Sequence, residues 1–111
     1  MKVNGMEVEF NIFDADVMEK VTKSVEKVQE ELTSVGNVEG EANQIRSMCQ
    51  SIKVFIDETI EPGKGVEFCG EANDLLKHID VYEAVIGEIV RQRKALEERT
   101  KKLQTKYNVK K

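Results

Sequence analysis

Apolar residues recur between positions 18 and 35 at alternating intervals of three and four residues. This spacing places them on one narrow face of an α-helix, at the a and d positions of a heptad repeat. Asp14 or Asp16 can cap the start of the helix, and Gly36-Asn37 supplies a stop after Val35. Because so narrow a stripe packs on one or two neighbouring helices, the pattern predicts a helical bundle. Its members are Met18, Val21, Val25, Val28, Leu32 and Val35.

A wider apolar stripe predicts a second and more deeply buried helix over residues 41–60. Pro62 lacks a backbone donor, and Gly63 and Gly65 permit sharp turns, so the segment after Ile60 is expected to be a connector. Val66 and Phe68 are expected to hold this connector against the bundle. The stripe consists of Ile45, Met48, Cys49, Ile52, Phe55, Ile56 and Ile60.

A third helical region is expected from about residue 71, with a joint at His78-Ile79-Asp80 where Asp80 caps a new segment. Its stripe thins after Arg91, while Glu97–Lys101 and Glu98–Lys102 form favourable pairs four residues apart. The end of this helix should therefore extend beyond the bundle as an overhang. The stripe is formed by Leu75, Ile79, Tyr82, Val85, Ile86, Ile89 and Val90.

The N-terminus has the pattern of a β-hairpin. Lys2-Val3 and residues 6–10 flank Asn4-Gly5, the pair best suited to a type I′ turn. The fold is therefore predicted to be mainly α and a single domain over residues 1–111. It comprises an N-terminal β-hairpin (1–13), a three-helix antiparallel bundle (14–90) and a basic helical extension (91–111).

Charge is divided unevenly along the chain. Residues 91–111 carry nine Lys or Arg and two Glu, a net +7, whereas residues 1–90 carry a net −11. The default interpretation of the basic end is a solvated helix C-terminus, which cations stabilise. An acidic body with a basic end can also bind a second copy of itself, an acidic protein or a polyanion. Nucleic acid is the least favoured of these, because the overall pI is about 5.1 and Tyr107 is the only ring among the basic residues. We expect protein partners and homo-oligomers.

No catalytic, cofactor or metal site is predicted. Cys49 and Cys69 lack the spacing of a zinc site, and His78 has no second histidine or orienting partner nearby in the sequence. We expect His78 to face solvent or cap a helix. The glycines of the 61–70 connector match no phosphate-binding motif. Without an apolar segment long enough for a signal peptide or a membrane span, a cytoplasmic location and no membrane contact are expected.

Three segments resemble a family of short phage and prophage proteins of Gram-positive bacteria, encoded among tail genes and without an assigned function. They read VNGMEVEFNIFDADVMEKV, MCQSIKVFIDETIEPGKGVEFCGEAND and HIDVYEAVIGEIV. The resemblance implies, by analogy, a tail-assembly chaperone that keeps the tape-measure protein soluble until tail-tube proteins polymerise around it. Its partners would then be the tape-measure or tail-tube protein, in the cytoplasm of the bacterial host.

The predicted function is accordingly a non-enzymatic phage assembly protein. Three alternatives stay open: a secreted WxG-type helical hairpin, although the first hinge reads Val-Gly-Asn and no Trp is present; a small nucleic-acid-binding regulator; and an enzyme using Cys69 and His78. The expected partner contacts lie at the hairpin exit and on the overhang. They are Phe10, Ile12, Phe13, Arg93, Leu96, Arg99, Leu103 and Tyr107.

Overall fold

The computed structural model describes residues 2–3, 6–7 and 10–107, and these are mainly helical. The order of elements is β1 (Lys2–Val3), β2 (Met6–Glu7), α1 (Ala15–Thr33), a 3₁₀ turn (Ser34–Asn37), α2 (Glu41–Thr59), α3 (Lys64–Cys69) and α4 (Leu75–Tyr107).

β1 and β2 pair antiparallel, with Lys2 opposite Glu7 and Val3 opposite Met6. The predicted turn at Asn4-Gly5 lies outside the described residues, as does the continuation of the second strand. The hairpin and its turn type therefore stay predictions.

The predicted start of the first helix is confirmed at Asp14. The Asp14 carboxylate accepts hydrogen bonds from the amides of Asp16 (2.9 Å) and Val17 (3.2 Å), which is the geometry of an N-cap. Val21 and Val28 are buried along the predicted stripe, together with Ser24. The narrow stripe thus packs α1 on the rest of the body along one line.

α2 has the larger buried face, as its wider stripe predicts. Cys49, Ile52, Phe55 and Ile56 are all buried. The Phe55 ring meets that of Tyr82 on α4 edge to face, with 5.3 Å between ring centroids. α2 therefore lies between α1 and α4 and carries much of the core.

The connector predicted over residues 61–70 contains a helix, α3, so the described chain has four α-helices where three were expected. Gly63 precedes α3 with a φ of +92°, and Gly70 follows it with a φ of +83°. Glycine favours these left-handed values because it has no Cβ. Of the two side chains expected to hold this segment, Phe68 is buried and Val66 is exposed.

α3 reverses the chain, and α4 therefore runs parallel to α2 rather than antiparallel. The Gly65 amide donates to the Asp57 carboxylate (2.7 Å), so α3 begins beside the C-terminal half of α2. α4 begins near Cys49 of α2, because Asp74, just before α4, is close enough for its charge to act on the Cys49 thiol. Further along both helices, Tyr82 of α4 meets Phe55 of α2. The predicted three-helix antiparallel order is thus wrong in this respect.

α4 is continuous, and the predicted joint at residues 78–80 is absent from it. His78, Val81, Val85 and Ile89 are buried at intervals of three and four residues, so they form its buried face. Val90, which was placed in this stripe, is exposed instead. The core consists of Ile12, Val21, Val28, Ile52, Phe55, Ile56, Phe68, Cys69, Val81, Val85 and Ile89.

Candidate protein-interaction groove

An open groove of about 800 Å³ lies between the segment that precedes α1 and the C-terminal part of α4. Phe13 forms one side, and α4 forms the other. We call this surface the basic groove. Its lining residues are Phe13, Leu96, Arg99, Thr100, Lys102, Leu103 and Lys106.

The basic groove continues the buried face of α4. Ile89 packs in the core, and Leu96 and Leu103 follow at intervals of seven residues on the same side of the helix. From residue 97 to residue 106, however, α4 is exposed. α4 therefore presents a core-type face where the described chain has no further helix to cover it.

The floor of the basic groove is apolar and open to solvent. Phe13 is 48% exposed and Leu103 is 59% exposed, whereas Leu96 is half-buried. Full burial of such side chains stabilises a structure by roughly 1.5–3 kcal/mol each, so covering their exposed halves would contribute about 1 kcal/mol each. A complex with a partner that supplies apolar side chains here would be stabilised by this free energy.

Cations surround this apolar floor. Residues 91–106 carry seven Lys or Arg and two Glu, a net +5, and Arg99 and Lys102 lie on the groove itself. A guanidinium can hold a carboxylate through two parallel hydrogen bonds. The surface is thus complementary to an amphipathic helix that has acidic residues beside its apolar face.

Gln92 fixes the position of the segment that carries Phe13. Its Oε1 accepts from the Ile12 amide (3.0 Å), and its Nε2 donates to the Phe10 carbonyl (3.0 Å). Ile12 is 1% exposed and belongs to the core. One buried amide side chain therefore satisfies two backbone groups of the segment that precedes α1.

Glu88 orients Gln92 in turn. Its carboxylate accepts from Gln92 Nε2 (2.8 Å) and from the Arg91 guanidinium. The hydrogen bond from Arg91 lowers the Glu88 pKa to about 2, with a smaller lowering from Gln92. The carboxylate stays ionised over the whole neutral range, so it remains an acceptor for Gln92.

Of the eight expected partner contacts, Phe13, Leu96, Arg99 and Leu103 line the basic groove together. Thr100, Lys102 and Lys106 also line it and were not singled out, although they lie three or four residues from the predicted ones.

The other four expected contacts lie elsewhere. Ile12 is buried in the core, so the expectation that it faces a partner is wrong, and Phe10 is half-buried against the same core. Arg93 donates to the hydroxyl of Thr22 on α1 (3.2 Å). Tyr107 ends α4, and its side chain lies outside the described part of the chain.

His78 is fully buried, which corrects the expectation of a solvent-facing or capping residue. Its Nδ1 lies 2.6 Å from the Asp74 carbonyl and donates to it, while its Nε2 is buried without a hydrogen-bond partner. Burial lowers the His78 pKa and raises the Cys69 pKa to about 11. Among the described residues, no group of three or more His, Cys, Asp or Glu is arranged to hold a metal ion.

Residues 4–111 match a family of unknown function, DUF6673, and the chain belongs to that family. No curated protein and no solved structure matches the chain. Within the described residues, none of the helices is both long and apolar enough to span a membrane.

Proposed function

We propose that this member of DUF6673 is a non-enzymatic phage assembly protein, specifically a tail-assembly chaperone that acts through protein–protein contacts. The basic groove would receive an acidic amphipathic helix of a tail protein, such as the tape-measure or tail-tube protein. The protein would act in the cytoplasm of the bacterial host, where those proteins are made.

One observation carries the binding role. The core-facing side of α4 continues through Leu96 and Leu103 after the body has ended, and Phe13 faces it from the other side. Exposed apolar surface bordered by cations favours association with another chain over solvent exposure. The tail-gene part of the proposal is supported by the sequence resemblance described above.

The buried thiol and imidazole support a role without catalysis. Cys69 is buried, and a thiol with a pKa near 11 is protonated and therefore a poor nucleophile at neutral pH. His78 bonds to the backbone carbonyl of Asp74, the residue just before α4, rather than to a thiol. Neither residue lines the basic groove.

The proposal is tested by tagging the protein in its own host, inducing the prophage and identifying co-purifying proteins by mass spectrometry. We expect the wild-type protein to recover the tape-measure or tail-tube protein. Leu103→Asp, which puts a charge on the floor of the groove, should lose that protein. Thr105→Asp adds the same charge to the same exposed part of α4 outside the groove and serves as the matched control.

Recovery of no tail protein by the wild type would overturn the proposal, as would equal recovery by both variants. Two of the alternative functions make different predictions for the same cells. Accumulation in the culture medium would instead favour the WxG-type hypothesis. Co-purification of DNA, lost steeply as salt rises, would favour the nucleic-acid regulator.

A further inference from the structure

A second exposed surface lies on α4, toward its N-terminal end. Leu76 is 69% exposed and Val90 is 58% exposed, and Asp80 and Glu83 are exposed between them. Together with Gly87, these residues recur at intervals of three and four, so they share one side of the helix. We call this side the acidic face.

The acidic face and the basic groove have complementary chemistry. Residues 75–90 carry one Lys and three acidic residues, a net −2, against the net +5 of residues 91–106. Both surfaces present large apolar side chains at helical spacing. The acidic face therefore has the pattern that the basic groove fits, and it is present in every copy of the chain.

We propose that the basic groove of one copy binds the acidic face of a second copy. Leu76 and Val90 of one chain would cover Phe13 and Leu103 of the other, and Asp80 would lie near the cations of the groove. This inference deepens the proposed function and rests on it in treating the groove as a binding site. A tail protein would then compete with the second copy for the same groove.

The geometry of α4 determines what kind of assembly results. Leu76 and Leu103 are 27 residues apart in a continuous helix, which corresponds to about 7.5 turns, so they point in opposite directions. A second copy bound in the groove of one molecule therefore lies on the side away from that molecule's acidic face. Its own groove cannot reach that acidic face. The contact is head-to-tail, and repeated contacts of this kind give rings or open chains rather than two-fold dimers.

Sedimentation velocity across a concentration series tests this assembly. The wild-type protein should grow beyond a dimer with concentration and should dissociate as salt is raised to about 0.5 M, because the charge attraction is screened. The groove variant Leu103→Asp and the acidic-face variant Leu76→Lys with Asp80→Lys should each remain monomeric. Thr105→Asp should assemble like the wild type.

Mixing the two monomeric variants gives the sharper test. Each retains the surface that the other lacks, so the mixture should form a one-to-one complex that does not grow further. A mixture that remains monomeric would overturn the inference. So would a wild-type protein that is monomeric throughout, or one that stops at a closed dimer.

The same variants separate this inference from the proposed function. The acidic-face variant keeps its groove, so it should recover the tail protein from induced cells while failing to assemble with itself. If that variant assembles normally, the self-association inference fails even where the tail protein is recovered. If every variant assembles as described and no tail protein is recovered, the proposed function fails alone.

Discussion

Two glycines on different helices should respond in opposite ways to the same substitution. A Cβ on Gly65 would lie 2.4 Å from the Lys53 carbonyl oxygen and 2.9 Å from the Lys53 Cα. Both are backbone atoms of α2, which cannot rotate away as a side chain can. A Cβ on Gly87 would meet nothing within 4 Å.

The cost of Gly65→Ala follows from these distances. An ordinary contact needs about 3.4 Å, so α3 must move away from α2 by roughly 1 Å, and overpacking of this kind costs about 1–3 kcal/mol. The same movement stretches the hydrogen bond from the Gly65 amide to Asp57, and a bond to a charged group contributes about 1.5–3 kcal/mol. Ala is the better helix former by about 1 kcal/mol, which offsets part of the loss.

We therefore expect Gly65→Ala to lower the free energy of unfolding by about 3 kcal/mol. Gly87→Ala should raise it by about 0.5–1 kcal/mol, since only helix propensity changes there. In thermal unfolding followed by circular dichroism, the first variant should melt roughly 12–24 °C below the wild type and the second a few degrees above it.

Urea unfolding of the two glycine variants checks the free energies independently. The close approach of α3 to α2 would be refuted if Gly65→Ala were as stable as the wild type or if both variants changed alike. Asp57→Ala removes the acceptor without crowding the helices, so it should cost less than Gly65→Ala. An equal cost would assign the effect to the hydrogen bond alone.

Three further predictions concern buried groups. Burial lowers the His78 pKa below 6.5 in the folded protein, so the unfolded chain binds the imidazole proton more strongly. The free energy of unfolding should therefore be highest above pH 6.5 and fall toward pH 5 by up to about 1.4 kcal/mol per pH unit. His78→Leu should lose this pH dependence when its free energy of unfolding is measured in urea at both pH values. A pH dependence as steep as that of the wild type would show that it does not arise from His78. Gln92→Ala should cost roughly 2–4 kcal/mol and speed amide hydrogen exchange at Ile12, because two backbone groups lose their partner; Gln104→Ala, on the exposed part of the same helix, should change neither. Cys69 should react with iodoacetamide at neutral pH far more slowly than a free thiol and at the free rate in denaturant; rapid labelling of the folded protein would refute its burial.

Helix positions follow well from the sequence where one apolar stripe faces one neighbour. α1 and α2 begin and end close to their predicted limits, because Asp14 caps the first and Pro62 follows the second. α3 was missed because Gly63 and Gly65 were interpreted as helix breakers. In the structure, Gly65 lies inside a helix and allows its close contact with α2, a use of glycine that composition alone does not distinguish.

Polar residues on buried faces account for two further differences. His78 and Gln92 are buried on α4, where the apolar pattern placed a joint at one and gave no signal at the other. Each side chain bonds to a backbone group: His78 to that of Asp74, just before α4, and Gln92 to that of Ile12, far away in sequence. Leu103 was predicted because an apolar pattern that continues past a bundle is visible without knowledge of its neighbours, whereas Phe13 was predicted from its place at the hairpin exit.

The contact between Gln92 and the Ile12 amide also has a consequence for the order of folding. It joins residues 80 positions apart, and closing a chain loop of that length costs about 4 kcal/mol of entropy. The turns between α1, α2 and α3 close much shorter loops, so those helices can associate first. We therefore expect the Gln92 contact to form after the transition state, so that its loss accelerates unfolding while leaving the folding rate nearly unchanged.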